Sequence, residues 1–342
     1  MRYKLLGRSG LRVSEVCLGT MTFGETWGWG ASRAESQKIF EGFVEAGGNF
    51  IDTSVNYTDG TSEEFLGEFL KKQRERFVLA TKYTLTRPDD SDPNGGGNSR
   101  KNMMKSVERS LRRLQTEYID LYYLHAWDYL TPVEEVLRGL DDLVRQGKVL
   151  YVGISDSPDW IAAEANTRAE LMGWSRFVAL QVPYSLLDRA IERAMLPMAK
   201  HWEMTVLPFG LLESGILTGK FLQQVEGPSR VNPQKLDLSE KALQVVTTVK
   251  QVAEEVGRPM SQVAINWVRQ QQHQAHIIPI LGARKLEQLQ DNLAALEWQL
   301  DEAQLQRVDE ASAIDLGFPH GFLDGNPYVF GATYDKIDAP RR

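Results

Sequence analysis

Four side chains of different chemistry stand at or just past the ends of short apolar runs in the first 125 residues. The run Phe50-Ile51 stops at Asp52, and Tyr57 follows five residues later; the run at 77–81 ends at Lys82, and the run at 119–124 ends at His125. Carboxylates and ammonium groups do not belong in a core unless they are paired. A phenol, with an unperturbed pKa of about 10, is a poor acid near neutral pH and needs a nearby positive charge to stabilise its anion. Lys82 supplies such a charge, and Asp52 can balance it and hold it in place. His125 can donate a hydrogen bond to a carbonyl oxygen or pass a proton to the phenol. Brought together, the four groups protonate an oxygen while something else attacks the neighbouring carbon.

The attacking species has to be imported. No Ser or Cys nucleophile with a base is apparent, and no carboxylate pair suited to glycoside cleavage recurs. Cys17 is the one cysteine and reads as a small buried hydrophobe. His273 and His276 lack the further ligands that zinc requires, so no metal is expected. The net charge of −7, without Lys/Arg clusters interleaved with aromatics, argues against nucleic acid or an anionic membrane surface as partner. No apolar run approaches the roughly 20 residues of a membrane span, and the N-terminal residues carry no signal-like apolar stretch, so a cytoplasmic location is expected.

What would position the four groups is legible from the pattern around them. The runs are four to seven residues long, rich in β-branched and aromatic residues and not alternating, as in strands buried on both faces. Amphipathic stretches at 32–46, 63–72 and 99–114 separate them. The rhythm continues with helix 132–146, strand 149–154, helix 157–172, strand 177–180, helix 190–201 and strand 204–207. A long loop at 211–238, helices at 239–256 and 260–272, strand 276–281 and helix 286–295 follow. With a first strand at 15–18 this makes eight strands alternating with helices, and the simplest architecture is one α/β domain over 1–342: a closed (β/α)8 TIM barrel with its core at about 15–296. A hairpin at 3–13 would cover its bottom, and an extra helix at 301–313 and a tail at 314–342 would follow. A doubly wound sheet is the weaker alternative, because no Gly-x-Gly-x-x-Gly follows the first strand. In a barrel the C-terminal strand ends share one rim, which is where the four groups would meet.

At these strand ends stands an ordered series of motifs: Asp52-x4-Tyr57, Thr81-Lys82, Leu124-His125, Gly153-Ile154-Ser155, Gln181-x2-Tyr184-Ser185, Leu217-Thr218-Gly219-Lys220 and Gly282-Ala283-Arg284-x3-Gln288-x2-Asp291-Asn292. Together they resemble the aldo-keto reductases, from about residue 2 to 296. The resemblance implies a barrel that binds NADP(H) in an extended pose and reduces small aldehydes and ketones. In that reading Tyr57 is the general acid, Lys82 lowers its pKa, Asp52 pairs with Lys82, and His125 orients the carbonyl. Ser155 and Gln181 match positions that hold the nicotinamide carboxamide, and Phe209 matches the aromatic on which the ring stacks. The rim segment Gly19-Thr20-Met21 and the loop from Gly210 through Leu212 and Gly215 to Lys220 fall at cofactor-binding positions. So does the last motif: Gly282, Arg284 for the 2′-phosphate, Gln288 and Asn292 for adenine, and Asp291 between them. The pattern departs at Asp156, where the family usually has Asn, and at Val182, Pro183 and Leu211. Phe23, Trp27, Tyr83 and Trp127 are expected to line the substrate pocket. Phe318, Phe322, Tyr328, Phe330 and Tyr334 of the tail are expected to dock outside the barrel or close over the substrate, and the oligomeric state stays open. Two other readings remain: an NADP(H)-binding sensor or accessory subunit with slow turnover, and a Schiff-base isomerase or aldolase using Lys82.

Overall fold

The computed structural model describes residues 1–220, 238–333 and 336–337. The chain opens with an antiparallel hairpin, β1 (Tyr3–Leu5) and β2 (Arg12–Ser14). Then β3 (Cys17–Gly19), α1 (Arg33–Glu45), β4 (Phe50–Asp52), α2 (Thr61–Leu70), β5 (Val78–Tyr83), α3 (Arg100–Arg113), β6 (Ile119–Leu124) and α4 (Val133–Arg145) alternate. They continue as β7 (Val149–Ser155), α5 (Asp159–Met172), β8 (Phe177–Pro183), α6 (Met195–His201) and β9 (Thr205–Phe209). After α7 (Glu240–Val256) and α8 (Met260–Gln270) come β10 (His276–Ile277), β11 (Ile280–Gly282), α9 (Leu286–Ala294) and α10 (Glu302–Ser312).

All neighbours from β3 to β9 pair in parallel. The ring closes through the last stave. Here β10 pairs with β9 and β11 with β3, so 276–282 is one stave interrupted at Ile278-Pro279. Proline has no amide hydrogen to give the ladder, which splits the stave into two pieces. The (β/α)8 architecture expected from the alternation is the one observed.

Alternation along the strands sorts the side chains into two apolar layers. Val78 and Ala80 of β5, and Leu121 and Tyr123 of β6, point into the barrel, with Leu6 and Val13 of the hairpin packed beneath them. Leu79 and Tyr83, and Tyr122 and Leu124, point out against the helices. The hairpin therefore plugs the bottom, as expected. Its bend is tight: Gly7 has φ +53, its amide donates to Thr205 Oγ1 at 2.6 Å, and a Cβ there would lie 2.1 Å from Val178 O. Only glycine tolerates both conditions.

Helices α7 and α10 stand outside the ring of eight and pack on each other. Serine side chains cap α1, α3 and α7, and α10 begins with a capping box of Asp301 and Gln304. The tail expected to be irregular carries two short helices, α11 (His320–Leu323) and α12 (Pro327–Phe330). Phe318 and Tyr328 of this tail are largely exposed, and Tyr334 lies outside the described residues. Much of the expected 211–238 loop does as well. Among the described residues no helix is long and apolar enough to cross a membrane, and no cluster of His, Cys, Asp and Glu could hold a metal ion.

Candidate active site

The inward face of the barrel changes character at its C-terminal rim. Two residues beyond inward-facing Phe50 comes Asp52, two beyond Ala80 comes Lys82, and two beyond Ala179 comes Gln181. Period two thus turns one apolar layer into a polar one. Lys82 is fully buried and donates to Asp52 Oδ2 at 2.6 Å, Thr53 O at 2.8 Å and Tyr57 Oη at 3.0 Å, which accounts for all three ammonium hydrogens. Gln181 Nε2 donates to the other Asp52 oxygen at 2.9 Å. Burial works against the charge on Lys82, yet Asp52 and Tyr57 together hold its pKa above the usual value. The ammonium therefore stays charged beside the phenol.

Burial also raises the Tyr57 pKa, and the Lys82 charge and hydrogen bond oppose that rise without reversing it. The expected lowering below the ordinary phenol value is not seen. Desolvation of the phenolate outweighs one cation in this closed setting, so at neutral pH Tyr57 is a loaded proton donor. His125 is buried, and burial, helped by Lys82, pushes its pKa well below the ordinary value, leaving a neutral imidazole. Its ring stands edge-on to Tyr57 with centroids 6.0 Å apart. Ser54 Oγ lies 3.1 Å from His125 Nδ1 and 2.7 Å from Asn56 Oδ1. The imidazole carries its proton on Nε2 when that hydroxyl donates to Nδ1, and on Nδ1 when it donates to Asn56.

Tyr57 begins a turn in which Thr58, Asp59 and Gly60 have φ of 46, 59 and 101, all left-handed. Non-glycine residues pay on the order of 1 kcal/mol each for this geometry, so the surroundings must hold it. Thr58 Oγ1 donates to Phe23 O at 2.5 Å. Arg113, at the end of α3, donates to Val55 O at 2.8 Å and to Asp59 O at 3.2 Å.

At the rim, Thr20 joins β3 to β4 through its amide and hydroxyl, which reach Asp52 O at 2.9 and 2.8 Å. Gly19 pairs with Gly282 across the closing stave, and Met21 is half-buried. Ser155 ends β7, and its buried Oγ makes no hydrogen bond of normal geometry. That orphaned hydroxyl suits an incoming amide. Asp156 follows at φ 37; desolvation of its carboxyl raises its pKa to about 6, against the pull of Lys82. Phe209 is half-buried and Gly210 exposed. Leu212 and Gly215 lie in the following loop, where Lys220 folds over Gly215, whose φ is +95. Burial and the Arg284 charge both lower the Lys220 pKa, so two cations share one region and favour an anion there.

Arg284 stands just before α9, and its amide donates to Gln288 Oε1 at 2.9 Å. Asn292 Nδ2 reaches Gly282 O at 3.3 Å. Asp291 spends its carboxylate on Ser261 and Gln262 of α8, at 2.5 and 2.9 Å, and ties the two helices together. The rim thus offers a buried hydroxyl without a normal hydrogen bond, a half-buried aromatic and a cationic pair, features that fit an extended dinucleotide.

Two expected pocket residues are not there. Phe23 is fully buried and packs edge-on to Phe69 at 6.5 Å, and Tyr83 stacks on Tyr122 at 5.5 Å in the layer between sheet and helices. Tyr83 follows Lys82 directly, so strand alternation sends it to the opposite face. Trp27 stands edge-on to Tyr57 at 6.5 Å, and Trp127 is half-buried after His125. Sequence reasoning missed Ser54, Glu63 and Arg113. Ser54 sits between Asp52 and Tyr57 in sequence, whereas Glu63 and Arg113 look like ordinary helix-surface charges until α2 and α3 are packed.

The aldo/keto reductase family model matches residues 15–313. An aryl-alcohol dehydrogenase of Pestalotiopsis microspora is 38% identical over 332 residues, covering 94% of this chain and 85% of its own. Norsolorinic acid reductase B of Dothistroma septosporum is 38% identical over 339 residues, covering 95% and 85%. An aryl-alcohol dehydrogenase of Phanerodontia chrysosporium, named for NADP(+), is 37% identical over 363 residues, covering 96% and 92%.

Proposed function

The chain belongs to the aldo/keto reductase family, an NADP-dependent oxidoreductase acting on carbonyl compounds, and from that premise we propose that Tyr57 is its general acid. The observation carrying this reading is the three-way bonding of Lys82 to Asp52, Thr53 and Tyr57 within a buried rim. NADPH, when bound, would supply the hydride for the carbonyl carbon. Tyr57 gives its phenolic proton to the oxygen that becomes the alcohol. Lys82 stabilises the phenolate left behind, and Asp52, held by Gln181, keeps the ammonium charged and aimed. His125, neutral, donates from Nε2 to the carbonyl oxygen when Ser54 donates to Nδ1. For the cofactor, Ser155, Gln181 and Phe209 would hold the nicotinamide end, and Lys220 and Arg284 the phosphate groups.

The substrates we propose are aryl aldehydes and ketones and the matching alcohols, in line with the names of the aryl-alcohol dehydrogenases and with Trp27 beside Tyr57. A cytoplasmic place of action, where NADPH is supplied and the lone buried thiol of Cys17 needs no disulfide partner, completes the proposal. A Schiff-base role for Lys82 is disfavoured, because its ion pair raises its pKa and an ammonium is no nucleophile. The test is steady-state oxidation of NADPH with an aromatic aldehyde. Tyr57→Phe should lower kcat by about 100-fold or more while leaving the dissociation constant for NADPH nearly unchanged. A variant that retained wild-type turnover would remove Tyr57 from the role, and tight cofactor binding with negligible wild-type turnover would favour a sensor.

A further inference from the structure

We propose that Arg113 and Glu63 form a clamp that positions the Tyr57 phenol against Lys82 during turnover. The inference rests on the assignment of Tyr57 as proton donor and adds two residues that do not touch the reacting atoms.

Tyr57 has no regular element of its own. It lies between β4 and α2, and the three residues after it run through left-handed backbone, a shape the chain does not hold by itself. Arg113 reaches across from the C-terminal end of α3 and grips both sides of the tyrosine: Nη1 donates to Val55 O at 2.8 Å, two residues before, and Nη2 to Asp59 O at 3.2 Å, two residues after. Gly60 leaves room for this guanidinium; a Cβ at Gly60 would lie 2.1 Å from Arg113 Cζ. Gly67 of α2 lets the helices approach, since a Cβ there would lie 2.2 Å from Arg113 O.

Glu63 anchors the clamp. Its fully buried carboxylate accepts from Arg113 Nη1 at 3.3 Å and from Thr81 Oγ1 at 2.8 Å. Thr81 is the residue before Lys82 on β5. One continuous chain of bonds therefore runs from the strand that carries the ammonium, through Thr81, Glu63 and Arg113, to the backbone on either side of the phenol. Its ends are the two groups whose separation, 3.0 Å at Lys82 Nζ to Tyr57 Oη, decides how strongly the phenolate is stabilised.

Lysine in place of Arg113 keeps a positive charge near the buried Glu63 but lacks the planar fork that spans two carbonyls. Arg113→Lys should lower kcat for aldehyde reduction by about 10-fold or more, since small misplacements of catalytic groups cost on that scale, with little change in the dissociation constant for NADPH. The basic limb of the kcat–pH profile should also move to higher pH, because a phenol farther from the ammonium ionises less readily. A purely structural residue would lower the melting temperature without moving that limb. Glu63→Gln, which keeps the size of the side chain but turns one of the two accepting oxygens into an NH2 donor, should show a smaller shift of the same sign. If Arg113→Lys fails to fold, Glu63→Gln carries the test through the same limb. Folded variants with wild-type kcat and an unmoved basic limb would overturn the clamp. The absence of aldehyde reduction in the wild type would instead overturn the assignment on which it rests.

Discussion

Asp156 puts a single carboxylate at the rim proposed to hold the nicotinamide. Its charge is felt by the Tyr57 phenol and it feels Lys82 in turn, so it belongs to the same electrostatic neighbourhood. An ionised Asp only accepts hydrogen bonds and favours positive charge nearby. Since its folded pKa is raised to about 6, the charged form dominates above that pH and the neutral form below. We expect the affinity for NADP+ relative to NADPH to increase as pH rises through about 6, and Asp156→Asn to flatten that dependence. Dissociation constants of both redox forms between about pH 5 and pH 8 decide it, and an identical ratio in the two proteins would refute the role. The same shift bears on stability. A carboxyl whose folded pKa is raised gives stability that is present below its unfolded pKa and is lost as pH rises through about 6. Asp156→Asn should therefore raise the melting temperature near pH 8 and leave it unchanged well below the unfolded pKa. Among single residues, Asp52, Lys82, Tyr57 and His125 were legible because ionisable groups at the ends of apolar runs need a reason to be there. Phe23 and Tyr83 were misread, because aromatic character alone does not say which face of a strand or loop a ring takes.

Elements were legible as a rhythm and less so at their edges. The sequence pattern ended a strand at Leu180, whereas β8 runs on to Pro183, so Gln181 is a ladder residue pairing with Leu207. Such boundaries follow from neighbours across the sheet, which a single strand's composition does not reveal. The split of the closing stave at Ile278-Pro279 was readable in principle from the missing amide hydrogen of proline. The hairpin was expected as a cover, but its seat depends on a contact nearly 200 residues away, between Gly7 and Thr205. Gly7→Ala places a Cβ against Val178 O at a positive φ, and should cost about 2 kcal/mol or more. Chemical denaturation would show it, with turnover per folded molecule largely kept because the plug lies at the end of the barrel opposite the rim. A neutral outcome would mean that the hairpin shifts freely on the barrel bottom.

At the scale of the molecule, α10 is fastened to the barrel by one buried arginine, alongside a bond from Trp267 Nε1 to Asp309 Oδ1 at 3.2 Å. Arg189 pairs with Glu192 through Nε and Nη2 at 2.8 and 3.0 Å, and its Nη1 reaches Asp309 O at 2.8 Å and Ser312 Oγ at 2.9 Å. Its guanidinium also sits over the Trp267 ring, 5.0 Å from the centroid. Tyr184 donates to the same Glu192 at 2.6 Å. Arg189→Met leaves that carboxylate buried beside a phenol alone and releases the last turn of α10. Removing one partner of a buried pair costs about 3 kcal/mol or more, and earlier proteolytic cleavage near α10 should accompany the loss. Unchanged denaturation and cleavage would show that α10 is held mainly by its packing on α7.

By itself the sequence determined the barrel, the number of its staves and the identity of the four groups at the rim. Hydrophobic periodicity and the cost of burying charge are local properties that need no partner to be read. Only the tertiary structure decided the charge states and the means of holding them. Desolvation, which depends on every atom packed around Tyr57 and His125, set the direction of their pKa shifts. The grip of Arg113 on the turn after β4 required α3 to lie against α2, an encounter between residues some 50 positions apart that no local pattern announces.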